Sequence, residues 1–323
     1  MAIMTRTNFK AGLIQMSFSD DRNENWKKLT QLLEQAAGDG TELVVLPELH
    51  NGCYFCQHED SEEFDRAESI PGPTSEFLSG LARQLELVII GSVFERRAAG
   101  LYHNTSIVLD SDGALAGYYR KMHIPDDPGY YEKYYFSPGD KGYSPVETRL
   151  GKIGVLICWD QWFPEAARLM SLAGAEVLVY PTAIGWDTTD NEAEQQRQLS
   201  SWVTIQLSHA ISNGIPLLAA NRYGFEPSPA KNGKGINFWG TSFICGPQGE
   251  ILSQAGIAED SLLQANIDLK HSEKVRQAWP FLRDRRIDTY AGLTRRFLDE
   301  PAEDLAMYDM SDEPNISNGE KND

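Results

Sequence analysis

Apolar residues occur along this chain in two textures, short continuous runs and three-to-four spacing, and the two textures alternate. Residues 10–16 read as a strand. Trp26, Leu29, Leu33 and Ala36 then repeat at helical intervals up to Gly38, and residues 42–46 read as a buried strand. Strand, helix, strand is a βαβ crossover, which makes the strands parallel and covers at least one face of their sheet with helix. A second helical pattern near 74–86 leads into a strand at 87–94.

The texture then changes. Residues 104–109 and 114–119 flank Ser111-Asp112-Gly113, a hairpin turn signal, so the sheet is predicted to be mixed. After an aromatic loop the βα order resumes, with strand at 153–157, a helix opened by Pro164 and running to about 173, and strand at 177–180. A long helical pattern at 193–213 ends at Asn213-Gly214, and strands are expected at 216–221, 241–245, 250–253 and 262–267. No linker divides the two halves. The pattern predicts an α/β protein, a four-layer αββα sandwich of two mixed sheets, with one domain over residues 1–297.

Charge alters the picture mainly at the end of the chain. The sequence has 323 residues and a formal net charge of −18, and residues 298–323 hold nine acids against the single Lys321. That stretch is read as an acidic C-terminal tail. The acidic balance argues against nucleic acid and anionic membrane as partners and favours cationic or neutral ligands. No apolar run approaches the roughly 20 residues needed to span a bilayer, and four cysteines are too few for a disulfide framework, so a cytoplasmic protein is expected.

In open α/β sheets reactive groups gather beyond the carboxyl ends of strands, and three such ends stand out here. Pro47-Glu48-Leu49 follows one apolar strand, Arg120-Lys121-Met122-His123 ends the hairpin, and Cys158-Trp159-Asp160 follows another strand. Each residue alone has a plain structural reading: a small core cysteine, a capping acid, one exposed lysine among many. Together they supply what hydrolysis of a carbon–nitrogen bond through a thioester-like intermediate requires. Glu48 would take the Cys158 proton and return it to the leaving nitrogen, Lys121 would lower the thiol pKa and stabilise the oxyanion, and the backbone N–H of Trp159 would add a second oxyanion donor.

These three motifs, Leu46-Pro47-Glu48, Tyr119-Arg120-Lys121-Met122-His123 and the run from Ile153 through Cys158-Trp159-Asp160 to Glu165, resemble those of the nitrilase superfamily over about residues 9–290. The resemblance implies an αββα fold, a Cys–Glu–Lys triad and assembly into homo-oligomers built from dimers. It also implies a second glutamate near the lysine, for which Glu132 in Gly129-Tyr130-Tyr131-Glu132-Lys133 is the match. The loops at 51–57, 123–136 and 180–185 resemble the branch that hydrolyses N-carbamoylputrescine to putrescine, carbon dioxide and ammonia in polyamine biosynthesis.

A substrate of that kind is a small cationic ureide, whose ammonium needs acids or carbonyls to receive it. Asp187 is the leading candidate and Asp126 and Asp127 follow, while Tyr54, Tyr130 and Trp159 are expected to shape a slot for the methylene chain. Cys53 and Cys56 lack a second cysteine pair and no Gly-rich loop follows a strand, so neither a metal nor a nucleotide cofactor is expected. Another amidase of the superfamily, β-ureidopropionase-like or ω-amidase-like, would need a cation for its substrate carboxylate, and Arg222 is uncommitted. The remaining alternative is a non-catalytic scaffold or redox-sensing protein that uses Cys158 only as an oxidisable thiol.

Overall fold

The computed structural model describes residues 7–230 and 233–298. The expected acidic tail therefore lies outside the described residues, except for Leu298. By internal contact the chain divides into two units, Met1–Pro280 and Phe281–Asp323. The described part of the second unit holds two short 3-10 turns, Ile287–Thr289 and Ala291–Thr294, and no strand.

The first unit contains two six-stranded sheets with closely similar plans. One orders its strands β15 (Ser261–Asp268), β1 (Asn8–Gln15), β2 (Leu43–Val45), β3 (Val88–Ala98), β4 (Leu101–Leu109) and β5 (Leu115–Arg120). The other orders β14 (Ile251–Gln254), β13 (Phe243–Cys245), β10 (Leu217–Ala220), β8 (Val177–Pro181), β7 (Gly151–Val155) and β6 (Val146–Thr148). In each, three central strands run parallel and the flanking ones antiparallel. This is the mixed pairing expected from the βαβ units and the hairpin.

Side-chain alternation explains the layering. Leu43 and Val45 of β2 join Leu13, Val88 and Ile90 in a core shared with Val155, Val177, Val179 and Leu217 of the other sheet. Val44, between them, faces the opposite way and packs with Leu29 and Leu33 of α1 (Arg22–Gly38) and Leu78 and Ala82 of α2 (Pro73–Leu85). On the far side α4 (Pro164–Leu172) and α5 (Glu192–Asn213) cover β7 and β10 through Ala166, Met170, Trp202 and Ala210. Helices, sheet, sheet, helices: the four-layer αββα sandwich is borne out.

The elements that the sequence pattern missed are short or polar. A third sheet, β11 (Tyr223–Glu226), β12 (Ile236–Trp239) and β9 (Gly185–Asp187), is too brief to leave a period, as is α3 (Glu132–Tyr135). The helix α6 (Leu269–Ala278) buries only Ser272 and Val275 and so carries little apolar repeat. Of these, α3 and β9 bring Glu132 and Asp187 to the strand ends that carry Glu48, Lys121 and Cys158.

Leu33 is fully buried on the helix face toward the first sheet. Leu33→Ala is expected to lower unfolding stability by about 2–5 kcal/mol, read as the urea midpoint, with turnover per folded molecule unchanged. An unchanged midpoint would contradict the packing described here.

Candidate active site

Glu48 leaves the end of β2 and is held there by its own backbone. Its N–H donates to the carbonyl of Thr182 at 3.3 Å, past the end of β8, which ties the two sheets together at this edge. The guanidinium of Arg222, fully buried, donates to the carbonyls of Glu48 (2.7 Å), Leu49 (2.9 Å) and Gly52 (3.1 Å) and pairs with Glu226 at 2.9 Å. Arg222 is therefore spent on bracing the glutamate loop. Next in the chain, Leu49 sits at φ 48° with its N–H on Ser92 Oγ at 2.9 Å, the anchor that holds a conformation few non-glycine residues adopt.

Lys121 follows β5, which runs in the same direction as β2 because two antiparallel steps separate it from β3. Its N–H donates to the carbonyl of Asn104 at 2.9 Å. Its ammonium is completely buried and lies 2.8 Å from Glu48 Oε1 and 2.6 Å from Glu132 Oε2. Glu132 opens α3, and its other oxygen accepts from the Tyr54 hydroxyl at 2.7 Å. Asn104 Nδ2 donates to Glu48 Oε1 at 2.6 Å, leaving Glu48 Oε2 buried with no partner among the described residues. That free oxygen is the available proton acceptor.

Cys158 begins a 3-10 turn, Cys158–Trp162, directly after the strand leading out of β7, at φ 41°. Its sulfur is 3.7 Å from the Ala183 carbonyl. Burial pushes the thiol well above its ordinary value and Glu48 pushes it further, against the pull of Lys121. Lys121 does pull the thiol down, as expected, but burial and Glu48 outweigh it and the net shift is upward. With burial first and the charge of Glu48 second, the resting sulfur is a neutral thiol and must lose its proton during attack.

Burial acts against the charge on Lys121, but Glu132 and Glu48 outweigh it and hold the ammonium well above its ordinary range. Burial and the charge of Glu48 raise Glu132 to about 7 against the pull of Lys121. Tyr54 is also pushed well up by burial and by Glu132, so its hydroxyl remains a donor.

The nucleophile opens into a cavity of about 600 Å³ lined by Tyr130, Trp159, Trp162 and Trp239, with Asp127, Asp187, Asp190 and Glu194 among its polar residues. Glu194 is paired with the one arginine there, Arg197, and Asp187, held below its ordinary range by hydrogen bonds from Thr189, stays charged with the Lys234 ammonium 3.8 Å away. Tyr130 is fixed by its hydroxyl, which donates to the Gly185 carbonyl at 3.1 Å and accepts from the Gly185 N–H at 3.0 Å. Of the residues expected around the substrate, Tyr130, Trp159 and Asp187 line this cavity. Asp126 is exposed and does not line it, although Asp127 does, and Tyr54 lies behind Glu132. Asn104 was not picked out from sequence, and Arg222, left uncommitted there as a possible cation for a substrate carboxylate, is instead taken up by the glutamate loop.

The arrangement pairs a buried thiol with a proton acceptor, a fixed cation and a half-open slot, which suits acyl or carbamoyl transfer to water. The family model described as Carbon-nitrogen hydrolase matches residues 10–277. The chain is similar to an N-carbamoylputrescine amidase of Solanum lycopersicum, 44% identical over 86% of this chain and 92% of that one. It is also similar to a citrullinase of Francisella tularensis, 40% identical over 90% of this chain and 99% of the other. Among solved structures, a carbon–nitrogen hydrolase from Helicobacter pylori superposes with a TM-score of 0.88 at 49% identity, covering 90% of this chain and all of that one.

With Glu132 raised above its ordinary 4.5, the folded protein keeps a proton near it that the unfolded chain has already released. The stability this contributes is full below about pH 4.5 and is lost as pH rises through about 7. The melting temperature of the wild type is therefore expected to fall relative to that of Glu132→Gln between about pH 5 and about pH 8. Parallel melting curves across that range would contradict the assignment.

Proposed function

Because the chain belongs to the carbon–nitrogen hydrolase family and is a hydrolase of non-peptide carbon–nitrogen bonds, we propose that its substrate is N-carbamoylputrescine and its products are putrescine, carbon dioxide and ammonia. One observation carries this reading. The buried Glu48–Lys121–Glu132 cluster adjoins Cys158 at a cavity whose lining includes Asp127, Asp187 and Asp190 and whose one arginine is already paired. A ligand with a ureido group at one end and an ammonium at the other complements both ends.

A ureido carbon is a poor electrophile because two nitrogen lone pairs delocalise onto it, so nucleophile and oxyanion donors must act together. Glu48 Oε2 takes the thiol proton as the Cys158 sulfur bonds to the ureido carbon. The oxyanion that forms is met by the Lys121 ammonium and the Trp159 backbone N–H, each such donor contributing about 3 kcal/mol. Collapse of this intermediate breaks the bond to the terminal nitrogen, which leaves as ammonia with the proton from Glu48. Water, deprotonated by the same carboxylate, attacks the carbamoyl thioester and returns the sulfur to a thiol. The released carbamic acid breaks down to carbon dioxide and the diamine, so that one water is consumed per ammonia freed. Glu132 holds Lys121 in place from the other side, and Tyr130 and Trp159 flank the methylene chain.

The four described cysteines are free thiols, which suits the proposed cytoplasmic setting. Leu169 and Leu172, exposed on α4, supply an apolar face for the proposed homo-oligomer.

Ammonia release should be fastest with N-carbamoylputrescine, slower with citrulline and slowest with N-carbamoyl-β-alanine. Cys158→Ala should abolish release from all three while leaving the circular dichroism spectrum unchanged. A preference for N-carbamoyl-β-alanine would overturn the cationic-substrate reading. Inactivity of the wild type on every ureide and amide offered, with no adduct on Cys158 by mass spectrometry, would favour the scaffold reading.

A further inference from the structure

We propose that Asp160 is a positioning residue that sets the relation between the Cys158 sulfur and the Lys121 ammonium, a step that rests on Cys158 being the nucleophile. Its carboxylate is completely buried and joins two separate stretches of chain. On one side Oδ2 accepts the N–H of Ile157 at 3.0 Å, and the Asp160 N–H donates back to the Ile157 carbonyl at 3.0 Å, closing a tight turn around Cys158. On the other side Oδ2 accepts from the Tyr119 hydroxyl at 2.9 Å, while Oδ1 accepts from the His123 N–H at 3.0 Å and faces His123 Nδ1 at 2.7 Å. Tyr119 and His123 are the second residues before and after Lys121. One carboxylate thus grips the chain next to the nucleophile and on both flanks of the cation.

Two physical points make that grip matter. Cys158 is not glycine, yet it sits at φ 41°, a region that L side chains rarely adopt and that persists only where neighbouring contacts over-determine it. The Ile157–Asp160 turn provides those contacts. Second, the sulfur arrives from β7 in one sheet and the ammonium from β5 in the other, so their spacing depends on what links the two. Asp160 is such a link, and the His123 ring, stacked on Phe163 with centroids 3.7 Å apart, stiffens its outer end.

Asp160→Asn preserves shape but removes an acceptor from the Ile157–Tyr119 side. It is expected to lower kcat by roughly 100-fold per folded molecule with KM changed only a few-fold, the signature of a misplaced reacting pair. Leu33→Ala, which loosens the fold elsewhere, serves as control and should keep its kcat per folded molecule at comparable loss of melting temperature. A merely structural aspartate would behave like that control. Should Asp160→Asn fail to fold, Tyr119→Phe and His123→Gln each release one strand of the clamp and should each lower kcat several-fold at nearly constant KM. Wild-type kcat in Asp160→Asn, or in both flank variants, overturns the proposal. If instead Cys158→Ala were as active as the wild type, the nucleophile reading itself would fail, an outcome distinct from either.

Discussion

The ammonium of Lys121 is sealed from water between two carboxylates, and this one arrangement imposes conditions on most of the molecule. An unpaired buried ammonium would be prohibitively unstable, so Glu48 and Glu132 must both be within contact, as they are at 2.8 and 2.6 Å. The three residues come from the ends of β2 and β5 and the start of α3. They meet only if the first sheet keeps its order and the α3 loop folds back over its edge. Arg222, bonded to the carbonyls of residues 48, 49 and 52, and Asn104, bonded to Glu48, exist in their buried positions to satisfy this requirement.

The same cluster decides the charge state of the nucleophile. With the sulfur buried and Glu48 beside it, a resting thiolate is disfavoured despite Lys121, and the proton moves only as the carbon–sulfur bond forms. The enzyme then trades a standing reactive thiolate for one generated on demand, and charge separation is confined to the transition state, where Lys121 and the Trp159 N–H can meet it. The four acids that line the cavity, against one arginine, also point one way: toward a substrate whose distal end is a cation.

Much of this was legible in sequence because the strand ends carry the chemistry. Strands with β-branched and leucine runs are read directly, and Glu48 and Cys158 each follow one, while Lys121 ends the strand marked by the hairpin turn. The two sheets and the two helical layers likewise emerge from alternating textures. What stayed hidden depends on burial and on partners far apart in the chain. Asn104 lies in a polar stretch, Asn104-Thr105-Ser106, that reads as a hairpin surface but is fully buried. Arg222 shows only a charge until folding places it against Glu226 and three carbonyls. The thiol was misjudged for the same reason: sequence suggested the nearby lysine but could not weigh it against two carboxylates and loss of water. Tyr54, expected against the substrate, instead supports Glu132 with its hydroxyl.

The neutral resting thiol is the point on which mechanism and electrostatics meet, and it is open to direct observation. The difference in ultraviolet thiolate absorbance between the wild type and Cys158→Ala, followed as pH is raised from neutral, isolates this one sulfur. The account predicts no thiolate signal from Cys158 at neutral or mildly alkaline pH. A full thiolate signal already present at neutral pH would contradict it, and would mean that Lys121 dominates the two carboxylates after all.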